Sequence, residues 1–513
     1  TSVSRTLRRR ASLLGLSFIA GACASDDSSS LLDRGVCDTL IDCATQLAPE
    51  VRDEYVAIFG VGGSCWGADP KQWAGCRDAC RQTLDTLNMV AELTGESCGT
   101  CQSALDCGPG ATCAGGYCIG SQSNAGEAGS EDQGGDGDGD PVVEIEAVSL
   151  LLVVDNSGQM GPAQRVLADH AYELVAPLEA AGIPWRLGIT TTDSGNPWCP
   201  PGATTPELGS LVFSICKARI GNFFFNNGQT DLSDELCYDI CQVPDVGTNP
   251  TKTASDPTPR SRPWIESAGD GTNNLSGDPA LPDLLACVVP QGINGCGFES
   301  QLESARRALV RSRDPEDDQY GFVEDGRLLA IVFVSEEADC SSNRTFDSIF
   351  EVDGNRVFWS DPDTAFPSSA VCWNAGVECV GDPSGYDTCV PADYDVDGDK
   401  TSDPDLAVML PVQGFIDAYS AGGPVVTFGI LGVGADGQPS YANTNSEDQD
   451  YRGIDVACTG SNAVGEIRGV PPVRMWSVVQ ELGPQSDQAV YSICSSDFGG
   501  GLGQIGSTIA GYF

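Results

Sequence analysis

From Val142 onward, apolar positions follow two alternating periods. Residues 148–154 (Val-Ser-Leu-Leu-Leu-Val-Val) form a nearly unbroken apolar run, the pattern of a strand buried on both faces. Gly161-Pro162 then opens a helix in which Val166, His170, Leu174 and Leu178 recur every four residues. Residues 185–191 predict a second strand, 299–313 an amphipathic helix and 328–334 another buried strand. Further on, 408–421 is helical, 425–431 extended, 474–483 helical, and 502–513 a closing helix. This alternation predicts an α/β fold over 142–513: a doubly wound, mostly parallel sheet flanked by helices. Two long insertions rich in Cys, Pro and Asn, at about 193–290 and 340–404, interrupt the pattern. Loops of that length are functional or pinned by disulfides.

The chain before Val142 has no such rhythm. Residues 23–95 predict a polar tether and a small helical disulfide-rich domain, with Cys76 and Cys80 on one helix face. Residues 96–120 form a Cys-rich module, C-x2-C-x5-C-x5-C-x4-C, with too little apolar mass for a core of its own. Disulfides would hold it; zinc at Cys98 and Cys101 is the alternative. Residues 121–141 carry six Gly and six acids without Lys or Arg, which predicts an extended linker.

At the start, Arg5, Arg8, Arg9 and Arg10 precede a short apolar run, 11–22, which is too short to span a bilayer. The end of that run, Ala20-Gly21-Ala22-Cys23, resembles a bacterial lipobox. The resemblance implies that 1–22 is a lipoprotein signal peptide, that Cys23 is lipidated, and that the protein is exported and held at the outer membrane or cell surface by lipid alone. An ordinary signal peptide cleaved nearby is the other reading.

Charge and cysteine count narrow the partners. The 513 residues hold 73 Asp and Glu against 27 Lys and Arg, a formal net charge of −46. No basic stripe is left to neutralise phosphates, so nucleic acid is excluded as a partner. Twenty-three cysteines belong in an oxidising compartment. Setting Cys23 aside leaves ten in 37–118 and twelve in 199–494, so each region can close its own disulfides.

The chemistry concentrates where the first buried strand ends. In open parallel sheets, ligands bind beyond the carboxyl ends of the strands. Here the strand runs into Asp155-Asn-Ser157-Gly-Gln159. That sequence resembles the metal-ion-dependent adhesion motif of von Willebrand factor type A domains, D-x-S-x-S, with Gln159 at the second Ser. The resemblance covers about 142–513. Asn294-Gly-Cys-Gly-Phe-Glu299, Pro472-Val-Arg-Met475 and Ser492-Ile-Cys494 further resemble exported lipoproteins of this class from myxobacteria-like bacteria. It implies a Mg2+ or Mn2+ site in which Asp155 acts through water and Ser157 ligates directly, with the Gln159 amide oxygen as a longer substitute. Glu336, with Asp339 close behind, stands where an Asp is usual. The Thr normally supplied by a middle loop has no clear counterpart; Asn294 and Thr272 are the candidates. A cation with few direct carboxylates stays electrophilic and accepts a carboxylate from a partner. Without metal, Asp155 and Ser157 would cap the following turn.

A second cation candidate is the loop Asp393-Tyr-Asp395-Val-Asp397-Gly398-Asp399, which matches the first half of a Ca2+ loop. Position 12 is Pro404 rather than Glu, and a solvated acidic loop is the alternative. Catalysis is not expected: His170 is the single His and lies on an apolar helix stripe. The function implied is binding of a protein or surface ligand, with a metal-free structural envelope protein or a carboxylate-dependent hydrolase as alternatives.

Overall fold

The computed structural model describes residues 145–199, 204, 206–444, 446–485 and 488–513, together with Ile41, Val56, Ile58 and two short strands, Thr112–Ala114 and Tyr117–Ile119. The segments read from sequence as a signal peptide (1–22), a tether and helical domain (23–95, apart from those three residues, with Cys23 at its start) and a linker (121–141) lie outside the described residues. The two short strands pair antiparallel in the 96–120 module, with Cys113 opposite Cys118. The chain divides into two units, Thr1–Asp138 and Gly139–Phe513, the second of which carries the strand–helix pattern.

That second unit is built on a six-stranded sheet. Its strands are β1 (Ala147–Val154), β2 (Trp185–Thr191), β3 (Ile265–Ser267), β4 (Arg327–Val334), β5 (Val425–Leu431) and β6 (Val490–Ser492). They lie in the order 3-2-1-4-5-6, all parallel except β3, which runs antiparallel along β2. The helices are α1 (Gly161–Ala181), α2 (Leu281–Val288), α3 (Gln301–Arg313), α4 (Ala370–Gly376), α5 (Val412–Ser420), α6 (Glu447–Arg452), α7 (Val473–Leu482) and α8 (Gly499–Ala510).

Side-chain alternation along β1 separates the two faces. Val148, Leu150, Leu152 and Val154 pack with Leu174 and Leu178 of α1, Leu284 of α2, and Leu502 and Ile505 of α8. Leu151 and Val153 face Leu302 and Leu309 of α3, Phe415 of α5, and Val478 of α7. Both faces are covered, which is why the strands read as continuous apolar runs. Helices α1 and α8 approach closely because Gly506 has no side chain: a Cβ there would come 2.2 Å from the Leu174 carbonyl oxygen.

The insertions contribute more than loops. The segment read as insertion 193–290 supplies β3 and α2, and β6 forms the far edge of the sheet. Strands of three residues carry no periodic signal, so sequence pattern does not find them. All twelve cysteines of 199–494 are within disulfide geometry, paired 199–296, 216–237, 241–287, 340–372, 379–389 and 458–494. The bridge 199–296 closes 97 residues and ties the loop after β2 to the loop before α3. Replacing both cysteines with Ala is expected to lower stability by up to about 5 kcal/mol, read as a fall in the urea midpoint. A midpoint shift equivalent to less than about 1 kcal/mol would show that the surrounding packing holds these loops unaided. Among the described residues no helix is long and apolar enough to cross a membrane.

Candidate functional site

The carboxyl ends of β1, β2 and β4 lie side by side, and each runs into a buried acid. The Asp155 N–H donates to the Val334 carbonyl (2.9 Å), so the first residue past β1 is still held in register with β4. Its carboxylate is fixed on both sides: Oδ1 accepts from the Ser157 N–H (2.9 Å) and Oδ2 from Ser335 Oγ (2.7 Å). Past β2, Asp193 accepts from the N–H groups of Gly195 (2.9 Å) and Cys296 (3.2 Å).

A third loop, running from α2 to α3, is laid against these. Gln164 fastens it, donating from Nε2 to the carbonyls of Asp155 (2.8 Å) and Gly292 (2.6 Å). Gln164 Oε1 in turn accepts from the N–H groups of Gln291 and Gly292. The Gly295 N–H donates to the Asn156 carbonyl (2.8 Å), and a Cβ on Gly295 would meet Asn156 Oδ1 at 2.2 Å, so only glycine permits this approach. The loop ends in Glu299, which accepts from Thr192 Oγ1, while the Ser300 N–H donates to the Thr192 carbonyl (2.9 Å). Helix α3 begins only at Gln301. Glu299, read from sequence as the first helical residue, is thus a loop acid delivered into the site.

Past β4, Glu336 and Glu337 are both buried. Glu336 Oε2 accepts from the Arg468 N–H (3.4 Å), and Glu337 Oε1 lies 3.8 Å from Arg452 Nε.

This crowding of acids away from water sets their protonation. Burial raises the pKa of Asp155 against the hydrogen bonds from Ser335 and Ser157. Burial, reinforced by the charges of Asp155, Asp193 and Glu337, holds Glu299 well above the carboxylate range. Glu336 is pushed well up by burial and then by Glu337 and Asp155, with Arg452 opposing. Glu337 is pushed up to about 7 by burial, with Arg452 opposing and Asp155 and Asp448 adding to the rise. Burial also raises Asp193, and it takes neighbouring Glu207 to about 7. Three oxygens in this wall have no hydrogen-bond partner although they are buried: Asn156 Oδ1, Glu299 Oε1 and Glu336 Oε1. Each such group costs about 1–3 kcal/mol, so the site holds unspent ligating capacity.

The residues singled out from sequence fare differently. Asp155, Ser157 and Glu336 lie in this wall. Gln159 is exposed, and its Oε1 accepts from Arg452 Nη2 (2.7 Å). Asp339 is fully occupied elsewhere: Oδ1 accepts from the Leu302 N–H and Ser341 Oγ, and Oδ2 from Arg474 Nε (2.9 Å). Thr272, a candidate for the middle loop, belongs to an exposed turn in which its Oγ1 donates to Asp270 (2.6 Å). That turn follows β3, whose last residue pairs with Trp185 at the start of β2, the opposite end of the sheet. Asn294 does lie in the loop before α3, but the acid that this loop brings beside Asp155 is Glu299. Two participants, Glu299 and Arg452, escape sequence reasoning. Gly-Phe-Glu ahead of α3 was the available signal for the first; nothing local marks the second.

The acidic loop 393–399 folds as a tight turn, with the Asp395 side chain accepting from the N–H groups of Asp397 and Asp399 (3.0 Å each) and Gly398 at φ 84°. Burial raises Asp393, while Asp397 and Asp399 are exposed. His170 Nδ1 lies 2.7 Å from Glu173 Oε1, on the same helix. Among the described residues no three His, Cys, Asp or Glu side chains converge as a ready-made metal cage. Any cation at the β1 loop would therefore need the Ser157 hydroxyl or water among its ligands. Compared with family models, curated proteins and solved structures, the chain matches none of them.

Proposed function

We propose that residues 142–513 form a von Willebrand A-like binding domain of an exported, lipid-anchored envelope protein, which recognises a protein or surface ligand at the carboxyl end of its sheet with the help of a divalent cation. The strand order 3-2-1-4-5-6, with acid-bearing loops after β1 and β4, supports the domain reading. One observation carries the cation: Glu299 Oε1 and Glu336 Oε1 are buried and unpartnered in the wall that also holds the Ser157 hydroxyl, among carboxyls that raise one another's pKa. A hydroxyl and carboxylate oxygens are the donors that Mg2+ and Mn2+ take, so the residues fit the ion. Asp155, Ser157 and Glu299 would hold it, and Glu336 would stand beside it. The bound ion supplies an electrophilic position for a partner's carboxylate. Ser335 and the Ser157 N–H orient Asp155, Thr192 orients Glu299, and Gln164 keeps the two loops together. Asp393, Asp395, Asp397 and Asp399 remain a weaker Ca2+ candidate, because two of these carboxylates face water.

Titrating Mn2+ into the metal-stripped full chain tests the reading. We expect measurable heat and a rise in melting temperature, both lost in Asp155→Asn, whose amide keeps the shape but not the charge. Absence of both signals in the wild-type chain would overturn the cation and favour the metal-free structural alternative. That alternative has one observation of its own, the Arg452 guanidinium already held beside Gln159 and Glu337.

A further inference from the structure

Arg452 is brought to the site by α6, a six-residue helix opened by Ser446, whose Oγ accepts from the Gln449 N–H, and closed by Gly453 at φ 81°. Its side chain is only 6% exposed. Nη2 donates to Gln159 Oε1 (2.7 Å), Nη1 to Asp448 Oδ1 (2.9 Å), and Nε lies 3.8 Å from Glu337 Oε1. Gln159 belongs to the loop that carries Asp155 and Ser157, and Glu337 adjoins Glu336. One guanidinium thus spans the β1 loop that would ligate a bound cation and the β4 loop whose Glu336 would stand beside it, and Arg452 Nε is itself buried without a hydrogen-bond partner. Helix α6 is also held by Arg468 on Asp448, by Ser368 Oγ on the Asp450 carbonyl (3.3 Å), and ahead of its first turn by Ser446 Oγ on Asp455.

We infer that Arg452 is a tethered cation that closes and partly neutralises this site, and that it must leave Gln159 and Glu337 before a divalent ion is bound tightly. The inference rests on the cation reading above and adds its regulation. Two positive centres repel in a buried, low-dielectric setting, so the ion and the guanidinium cannot both occupy this place at full strength. Binding of the ion then releases α6, and with it the exposed Tyr451 ring stacked 5.4 Å from the Arg452 guanidinium. Metal loading is thereby coupled to the shape of the outer surface, where a partner docks.

The test compares the metal-stripped full chain with its Arg452→Met and Arg452→Lys variants by Mn2+ calorimetry and thermal melting. Arg452→Met should bind Mn2+ about tenfold more tightly than wild type or better. It should melt lower without metal, because Glu336 and Glu337 lose their counter-charge, and recover with saturating Mn2+. Arg452→Lys keeps the charge and should stay within about threefold of wild type. A merely structural arginine would lower stability without changing affinity, so saturating Mn2+ would raise the melting temperature of Arg452→Met no more than that of wild type. In wild type, saturating Mn2+ should also speed trypsin cleavage after Arg452, since the released side chain becomes accessible; this measurement decides if Arg452→Met does not fold. Equal Mn2+ affinity in wild type and Arg452→Met, or cleavage that does not accelerate, overturns the inference while leaving the cation site standing. Mn2+ binding to none of the three overturns both. Asp155→Asn placed in the Arg452→Met background should abolish the gain; a gain that persists would locate the ion elsewhere and overturn the inference.

Discussion

Replacing Arg474 with methionine is expected to cost the fold about 3–5 kcal/mol, the largest effect of any single substitution proposed for this chain. Arg474 and Asp339 are both buried, with side chains 1% and 0% exposed and Nε donating to Oδ2 at 2.9 Å. Arg474 also donates from Nη2 to the Leu410 carbonyl (2.6 Å), and Asp339 takes the Leu302 N–H in the first turn of α3. The pair therefore joins the exit of β4 to α3, α7 and the segment leading into α5. Removing the guanidinium leaves a buried carboxylate without a counter-charge, which is why breaking such a pair costs more than the pair itself contributes. Adding Asp339→Asn to Arg474→Met should restore most of the loss, because the amide still accepts from Leu302 and Ser341 without carrying charge. Urea midpoints of the two single variants and the double variant measure the coupling. A loss below about 1 kcal/mol in Arg474→Met would mean that water reaches Asp339 once the guanidinium is gone.

Raising the pH from 5 to 8 should weaken the metal-free fold. Glu337 and Glu207 are pushed up to about 7 by burial, whereas in the unfolded chain a Glu titrates near 4.3. Between those values the folded state holds more protons than the unfolded one, so stability falls as pH rises and levels off above the folded pKa. Groups held low by arginines or hydrogen bonds, such as Glu303 and Asp455, have the opposite slope. Theirs is complete below this window, since their gain is lost only as pH falls through a depressed pKa. Saturating Mn2+ should flatten the decline, because it favours the ionised acids. Glu299→Gln should raise the stability of the metal-free chain at pH 8 and weaken Mn2+ binding. Stability that stays level or rises from pH 5 to 8 without metal would show that the acids of the site are solvated.

Much of the fold was legible because burial on both faces leaves an unmistakable pattern. The limits 185–191 and 425–431 agree with β2 and β5, and 148–154 and 328–334 with all but the first residues of β1 and β4. The helices were legible less sharply: 408–421 shrinks to Val412–Ser420, since Val408 accepts from the Asn343 N–H and Pro411 delays the first turn. Even cysteine parity in 199–494 is matched by six pairs, although parity could not name them.

By itself, the sequence determined the alternating α/β plan, the acidity, the even cysteine count of 199–494, and the Asp155–Ser157 loop at a strand end. Each is a local property: periodicity, composition, or a short motif whose neighbours are adjacent in the chain. Only the tertiary structure decided that Glu299 rather than Thr272 joins that loop, that Asp339 serves Arg474, and that Arg452 reaches Gln159 from 293 residues away. Those outcomes depend on which loops the strand order sets side by side. A pairing between distant segments leaves no periodic trace in either segment, because each residue type there is equally compatible with an exposed surface. What sets these residues apart is shared burial, which raises the pKa of ordinary acids and leaves some of their oxygens without a partner.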